Sequence, residues 1–190
     1  LKYYGFTISG NHRFLLGSGD IVRNTGKTTV IDSILYNKSS IIPVGEVHSG
    51  SETINHNYEK RFPKLFIYDE FTESAIKSLQ KRQVIAKRFL NNPWSLLLID
   101  DCADDRGLLK KPIIKTIAKN GRHWKQLLLL SIQHPTDVLP EVGNSLDGVF
   151  IMRETNRNSR ESIWKRYAGV IPDFSLFCQL MDQLTTDYSC

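Results

Sequence analysis

The chain has 190 residues, 41% hydrophobic and 24% charged, with 25 Lys and Arg against 20 Asp and Glu for a formal charge of +5. That balance excludes a disordered chain and fits one globular domain over 1–190, with no apolar run long enough to cross a bilayer and no secretory leader. The opening Leu1 reads as the start of a fragment, and the basic balance is compatible with a polyanionic partner. Cys102, Cys178 and Cys190 lack ligand spacing and read as free thiols. In chain order, Thr28 to Tyr36 reads as a helix with Val30, Ile31, Ile34 and Leu35 on one face. Ile41 to Val47 and Leu65 to Tyr68 read as strands. Phe71 to Leu90 has apolar residues at helical spacing. Leu96 to Ile99 is a buried strand, and Pro112 to Lys119 a short helix with Pro112 in its first turn and Gly121 at its stop. Leu127 to Ile132 and Val149 to Met152 are further strands, followed by helices at Asn158 to Tyr167 and Phe174 to Leu184. Continuous apolar strands alternating with helices predict an α/β fold, a mainly parallel central sheet with helices on both faces.

Four stretches carry chemistry. Thr25-Gly26-Lys27-Thr28-Thr29 opens the first helix and resembles the end of a P-loop, in which backbone N–H groups and a helix N-terminus hold phosphates. Lys27 would reach the β- and γ-phosphates and the Thr28 hydroxyl would ligate Mg²⁺. The usual pattern places a glycine five residues before Gly26; this chain has Ile21 there, with Gly17 and Gly19 further upstream. Leu96 to Ile99, followed by Asp100-Asp101, looks like a Walker B strand, since a parallel strand delivers acids at its C-terminal edge. Asp100 would hold the Mg²⁺ shell and Asp101 would orient or deprotonate the attacking water. The next strand ends at Gln133, an amide suited to sensing a γ-phosphate. Between these strands, Arg122 carries a guanidinium suited to spreading phosphate charge, supplied in ring ATPases by a neighbour.

The segments TGKTTVIDSILY, IIPVGEVHSGSETINHNY, LLLIDDCADD, KNGRHWKQLLLLSIQHP and LDGVFIMRETNRNSR, in that order, resemble the packaging ATPases of poxviruses and giant DNA viruses, a branch of the FtsK–HerA superfamily of P-loop NTPases. The resemblance implies a RecA/ASCE-like domain, with Walker A near 25–29, Walker B at 96–101, a sensor strand at 127–133 and C-terminal helices at 158–190. It implies ATP and Mg²⁺ as cofactors and a ring of copies, pentameric or hexameric, around double-stranded DNA. That ring would act at a capsid vertex, in the virion or the viral factory of the host cytoplasm. It carries Lys27 and Thr28 over as nucleotide and Mg²⁺ ligands, Asp100 and Asp101 as the Walker B pair, Gln133 as sensor and Arg122 as arginine finger. Glu52 and Asn55 could face the nucleotide, a neighbouring subunit or solvent.

Two basic clusters, one at Lys110, Lys111, Lys115 and Lys119 and one at Lys77, Lys81, Arg82, Lys87 and Arg88, are either phosphate contacts or solvated helix faces. Two other readings stay open. One is a P-loop enzyme with a small substrate, similar to a nucleotide kinase; the other is a DNA-binding or assembly protein with a degenerate nucleotide site.

Overall fold

A computed structural model of the chain describes residues 13–15, 21–23, 26–102, 107–134 and 137–185. The chain divides into two compact units, Leu1–Ile31 with Val149–Cys190, and Asp32–Gly148. The sequence reading takes 1–190 as a single domain.

The second unit is built on a four-stranded sheet of order β4-β3-β5-β6, parallel throughout: β3 Val44–Ser49, β4 Ile67–Tyr68, β5 Ser95–Asp100 and β6 Gln126–Ser131. The apolar runs predict this. A strand covered on both faces needs no polar alternation, and every residue of β5 is buried. Leu97 and Ile99 face helices α3 (Glu73–Phe89) and α4 (Pro112–Asn120), which contribute Ile76, Leu79, Ile113, Ile114 and Ile117 to one core. Truncating Leu97 to Ala there would cost about 2–5 kcal/mol. On the opposite face, Leu96 lines a cavity with Ile34 and Leu35 of helix α1 (Lys27–Lys38) and with Phe62. Helices therefore cover both faces.

Gln83 lies on the buried stripe of α3, and its amide donates to the carbonyls of Pro93, Trp124 and Lys125 at 2.8, 2.8 and 3.1 Å, joining the strand-entry turns. Pro112 occupies the first turn of α4, where a missing N–H costs nothing. Gly121, which follows α4, has an ordinary right-handed φ of −53°. Its role is close approach, because a Cβ there would lie 2.8 Å from the Ile117 carbonyl oxygen.

Three strand expectations are corrected, the first at Leu65 and Phe66, which lie in a 3₁₀ turn, so that β4 is Ile67–Tyr68 alone. Ile41 lies in the turn closing α1, where the N–H groups of Ile41 and Ile42 both donate to the Lys38 carbonyl; Pro43 follows without a ladder donor, so β3 starts at Val44. Residues 149–152 form no strand: they pair with none of the described strands, and Val149 and Phe150 are exposed.

In the first unit, β1 (Arg13–Leu15) and β2 (Ile21–Arg23) pair antiparallel. The second unit also has two short helices, α2 (Glu52–Asn55) and α5 (Pro140–Gly143); in the first unit, helices α6 (Arg157–Tyr167) and α7 (Phe174–Leu184) bury Ile163, Ala168, Phe177 and Met181 together. Both have side-chain caps: Asn156 accepts from the N–H groups of Asn158 and Ser159, and Asp173 accepts from that of Leu176. None of the described helices is long and apolar enough to cross a membrane.

Candidate functional site

The candidate phosphate-binding residues open α1, whose first five residues belong to the first unit. Strand β2 ends at Arg23 and the helix begins at Lys27, so residues 24–26 make the connection. Gly26 has φ 78°, a left-handed conformation that glycine adopts without a Cβ penalty, and its carbonyl accepts the Val30 N–H at 3.1 Å. The N–H groups of the first helical turn have no acceptor within the helix, the usual setting for an anion. Thr28 and Thr29 are exposed and Lys27 half-buried. Thr25, Gly17 and Gly19 lie outside the described residues. Ile21, at the expected glycine position, starts β2.

In the second unit, Asp100 is the last residue of β5, and Asp101 and Gln133 follow the ends of β5 and β6. Parallel registration of Asp100 with Ser131 brings the two strand ends to one edge. Asp101 adopts φ +49°, a left-handed conformation that Asp and Asn tolerate better than most residues. Its carboxylate accepts a hydrogen bond from Gln133 Nε2. Beside this pair is a space of about 40 Å³, lined in part by Cys102, Ser131 and Asp137, enough for a water molecule. A larger cavity, about 730 Å³, is lined by residues at the entry of the strands, including Val44, Gly45, Leu96 and Leu127, and is mainly apolar.

Asp100 is buried, 7% exposed, and Oδ2 accepts the Tyr58 hydroxyl at 2.7 Å. Burial of the phenol and the nearby Asp100 charge both push the Tyr58 pKa up, so the hydroxyl stays protonated. Tyr58 reaches Asp100 from a loop that Glu52 organises: the buried Glu52 carboxylate accepts the backbone N–H groups of Asn57, Tyr58 and Glu59 at 3.2, 2.8 and 3.1 Å. Glu52 thus faces inward, whereas Asn55 is exposed. Gly50 donates its N–H to the Asp100 carbonyl at 3.3 Å, and a Cβ at Gly50 would lie 2.6 Å from the Asp101 carbonyl oxygen. Only glycine lets these chain segments pass so closely.

The other face of β3 holds a buried pair that the sequence reading did not single out. Glu46 and His48, two residues apart on one side of the strand, meet at 2.8 Å. His48 Nδ1 lies 3.2 Å from both the Thr72 N–H and the Glu70 carbonyl oxygen, Nε2 faces Glu46, and Tyr68 stacks on the ring at 4.8 Å. Polar residues at alternate positions in an otherwise apolar strand are the signal by which sequence could have found them.

Arg122 is placed elsewhere. It lies in the turn before β6, at the strand-entry end, and makes a two-pronged contact with Asp147 while 68% exposed. The basic clusters are partly engaged: Lys77 pairs with Glu73, Lys115 with Glu141, and Lys111 lies over the Phe71 ring. Arg160 is committed to Asp182, at 3.1 and 2.5 Å, and to the Glu154 carbonyl.

No protein-family model matches the chain. The fold is similar to that of the genome packaging NTPase B204 from Sulfolobus turreted icosahedral virus 2, solved with ATP-gammaS. That likeness has TM-score 0.53 and 17% identity and covers 85% of this chain and 80% of that one. It shows a P-loop NTPase type of α/β fold. In sequence, the chain is 46% identical to the uncharacterized protein 075L of Invertebrate iridescent virus 6 over 96% of this chain and 70% of that protein. It is 41% identical to the uncharacterized protein 088R of Invertebrate iridescent virus 3, over 95% of this chain and 67% of that protein. The chain therefore belongs to the viral protein family that includes protein 075L of Invertebrate iridescent virus 6.

Proposed function

We propose that this chain is an ATPase that drives double-stranded DNA into a viral capsid, working as a ring of copies. The observation that carries the reading is the contact of Gln133 with Asp101, beside a water-sized space and next to the buried Asp100 at the exit end of a parallel sheet. An amide and a carboxylate converging on such a space suit the orientation of an attacking water. The named function of the structural relative, a viral genome packaging NTPase, agrees with this reading.

Thr25, Gly26, Lys27, Thr28 and Thr29 bind the phosphates, with Lys27 placing its charge on the β- and γ-oxygens. The donor set suits Mg²⁺, which favours hard oxygen ligands: Asp100 has one oxygen held by Tyr58, and no hydrogen bond among the described residues takes the other. Thr28 and Asp100 would hold the ion, which neutralises charge building on the transferred phosphoryl group. Asp101 orients the water, and Gln133 reports the state of the γ-phosphate through its contact with Asp101. Arg122, exposed and far along the strand from Asp101, acts on the nucleotide of a neighbouring copy. Contact with DNA is through phosphates, which a motor indifferent to sequence requires, at a capsid vertex in the virion or viral factory.

The test is ATP turnover by the full chain with and without duplex DNA. Turnover stimulated by duplex is expected, and Lys27→Ala should lower it roughly 10²–10³-fold, as for loss of one preorganised charge-stabilising group. Turnover by Lys27→Ala within threefold of the parent would reject the nucleotide assignment. Stimulation by a nucleoside monophosphate in place of duplex would reject the motor.

A further inference from the structure

The loop between β3 and β4 has no place in the ATPase reading, yet it makes the described side-chain contact to Asp100. Its parts are specific. Gly50 donates to the Asp100 backbone, Glu52 collects three successive N–H groups, His56 turns left-handed at φ 48°, and Tyr58, 1% exposed, sends its hydroxyl to Asp100 Oδ2. Arg61, three residues on, is bonded at 3.1 Å to Asp32 of α1. A loop fastened at both ends and internally delivers one hydroxyl to one oxygen of one carboxylate.

The chemistry of that contact is directional. A carboxylate at the end of a strand turns freely about its last bond unless something holds one oxygen. A hydroxyl donor on Oδ2 restricts the carboxylate plane, and no hydrogen bond among the described residues takes Oδ1. A buried carboxylate without this bond would lose both its orientation and part of its hydrogen bonding.

We infer that Tyr58 is a positioning residue for the divalent cation: its hydroxyl orients Asp100 so that the free oxygen is presented to the metal. Glu52 holds Tyr58 in place, so its effect on the metal is indirect by a further step. The inference rests on the assignment of Asp100 to the metal shell in the proposed ATPase. Partners of this kind commonly change metal affinity by about 10–100-fold when removed.

The experiment is Mn²⁺ binding to the full chain in the presence of ATP-gammaS, followed by electron paramagnetic resonance, which needs no turnover. Tyr58→Phe keeps the ring and its packing and removes only the hydroxyl. It should weaken Mn²⁺ binding about 10–100-fold while affinity for metal-free nucleotide stays within twofold. In an Asp100→Asn background, adding Tyr58→Phe should change Mn²⁺ affinity by less than twofold, because the hydroxyl acts only through that carboxylate. A structural role alone would lower the melting temperature equally in both backgrounds and leave Mn²⁺ affinity unchanged, and that result overturns the inference. Should Asp100→Asn weaken Mn²⁺ binding while Tyr58→Phe does not, the positioning role falls and the metal assignment stands. Should the parent bind no Mn²⁺ with nucleotide, or Asp100→Asn bind it normally, both fall together.

Discussion

Where β5 and β6 begin, one side chain is spent on the fold: the fully buried Gln83 donates to three carbonyls in the turns that start both strands. Where the same strands end, the polar side chains are held by fewer bonds: Asp101 is half-buried in a left-handed turn, Gln133 is exposed, and the buried Asp100 has one oxygen tied to Tyr58. Both ends belong to the same sheet, the first entered from helices α3 and α4 and the second leading back toward helices. The difference lies in satisfaction. A polar side chain with all its partners inside the protein rigidifies, whereas one with a spare lone pair or donor can act on something else. Arg122 is the exception, lying at the entry end yet exposed, on the surface rather than in the staple that Gln83 forms between the two strand-entry turns.

The largest effect should come from that exception. Arg122→Ala is expected to reduce hydrolysis by the assembled ring about 10³-fold, as loss of an arginine finger does. Chain stability should stay within about 1 kcal/mol, because exposed ion pairs contribute little. Mixing it with Lys27→Ala chains should restore partial activity, since one chain keeps an intact site and the other supplies the arginine. Hydrolysis by a demonstrably monomeric chain with the same dependence on Arg122 would place the guanidinium in its own site. Arg160 is then a poor substitute, being bonded to Asp182.

Asp101→Asn comes next. Asn tolerates the left-handed backbone as Asp does, so the change removes charge without adding strain. ATP binding should persist while turnover falls by about 10²-fold, the usual contribution of a general base or water-orienting group. Asp100→Asn should in addition weaken the metal site. Normal hydrolysis by Asp101→Asn alongside a dead Asp100→Asn would reverse the roles given to the two carboxylates.

At the staple, Gln83→Met preserves size and removes the donors to Pro93, Trp124 and Lys125. The Lys125 carbonyl keeps the Ser95 N–H, so losing the donor to the half-buried Pro93 and Trp124 should cost about 1–3 kcal/mol in denaturant unfolding, with turnover per folded molecule unchanged. A loss of turnover at full stability would mean that the two ends of the sheet are coupled.

The smallest effect belongs to the first unit. Bonding to Arg160 holds the Asp182 carboxyl below its ordinary value. A lowered folded-state pKa contributes stability above the unfolded carboxylate value, about 3.9, and loses it as pH falls through the folded value. The difference in melting temperature between the parent and Asp182→Asn should therefore be constant from pH 7 to about pH 5 and shrink below about pH 4. A difference that grows on acidification would contradict the pairing.

The sequence carried the parallel sheet because LLLI and LLLL runs admit few other environments, and α7 was placed at its observed bounds, Phe174–Leu184, because its apolar spacing is regular. The strand expected at 149–152 failed because a short apolar run does not reveal whether a partner strand exists. The acidic doublet was legible from an apolar strand ending in charge. Tyr58 was not, because its partner is 42 residues away and its own segment is polar and irregular. Nor was the Glu52 turn, whose meaning lies in three backbone N–H groups that no side-chain pattern encodes.

The left-handed turn at Asp101 limits which amino acids can replace it. Glu would keep the negative charge but is less at home at φ +49°; Asn suits the backbone but is neutral; Gly relaxes the turn and removes the carboxylate altogether. Charge and backbone geometry at this position can thus be varied one at a time, and a series of Asn, Glu and Gly at 101 would separate a motor stalled for want of a base from one stalled by a misaimed strand end. Asp100, inside the sheet ladder, has no left-handed backbone to set against its charge, so no such series exists there.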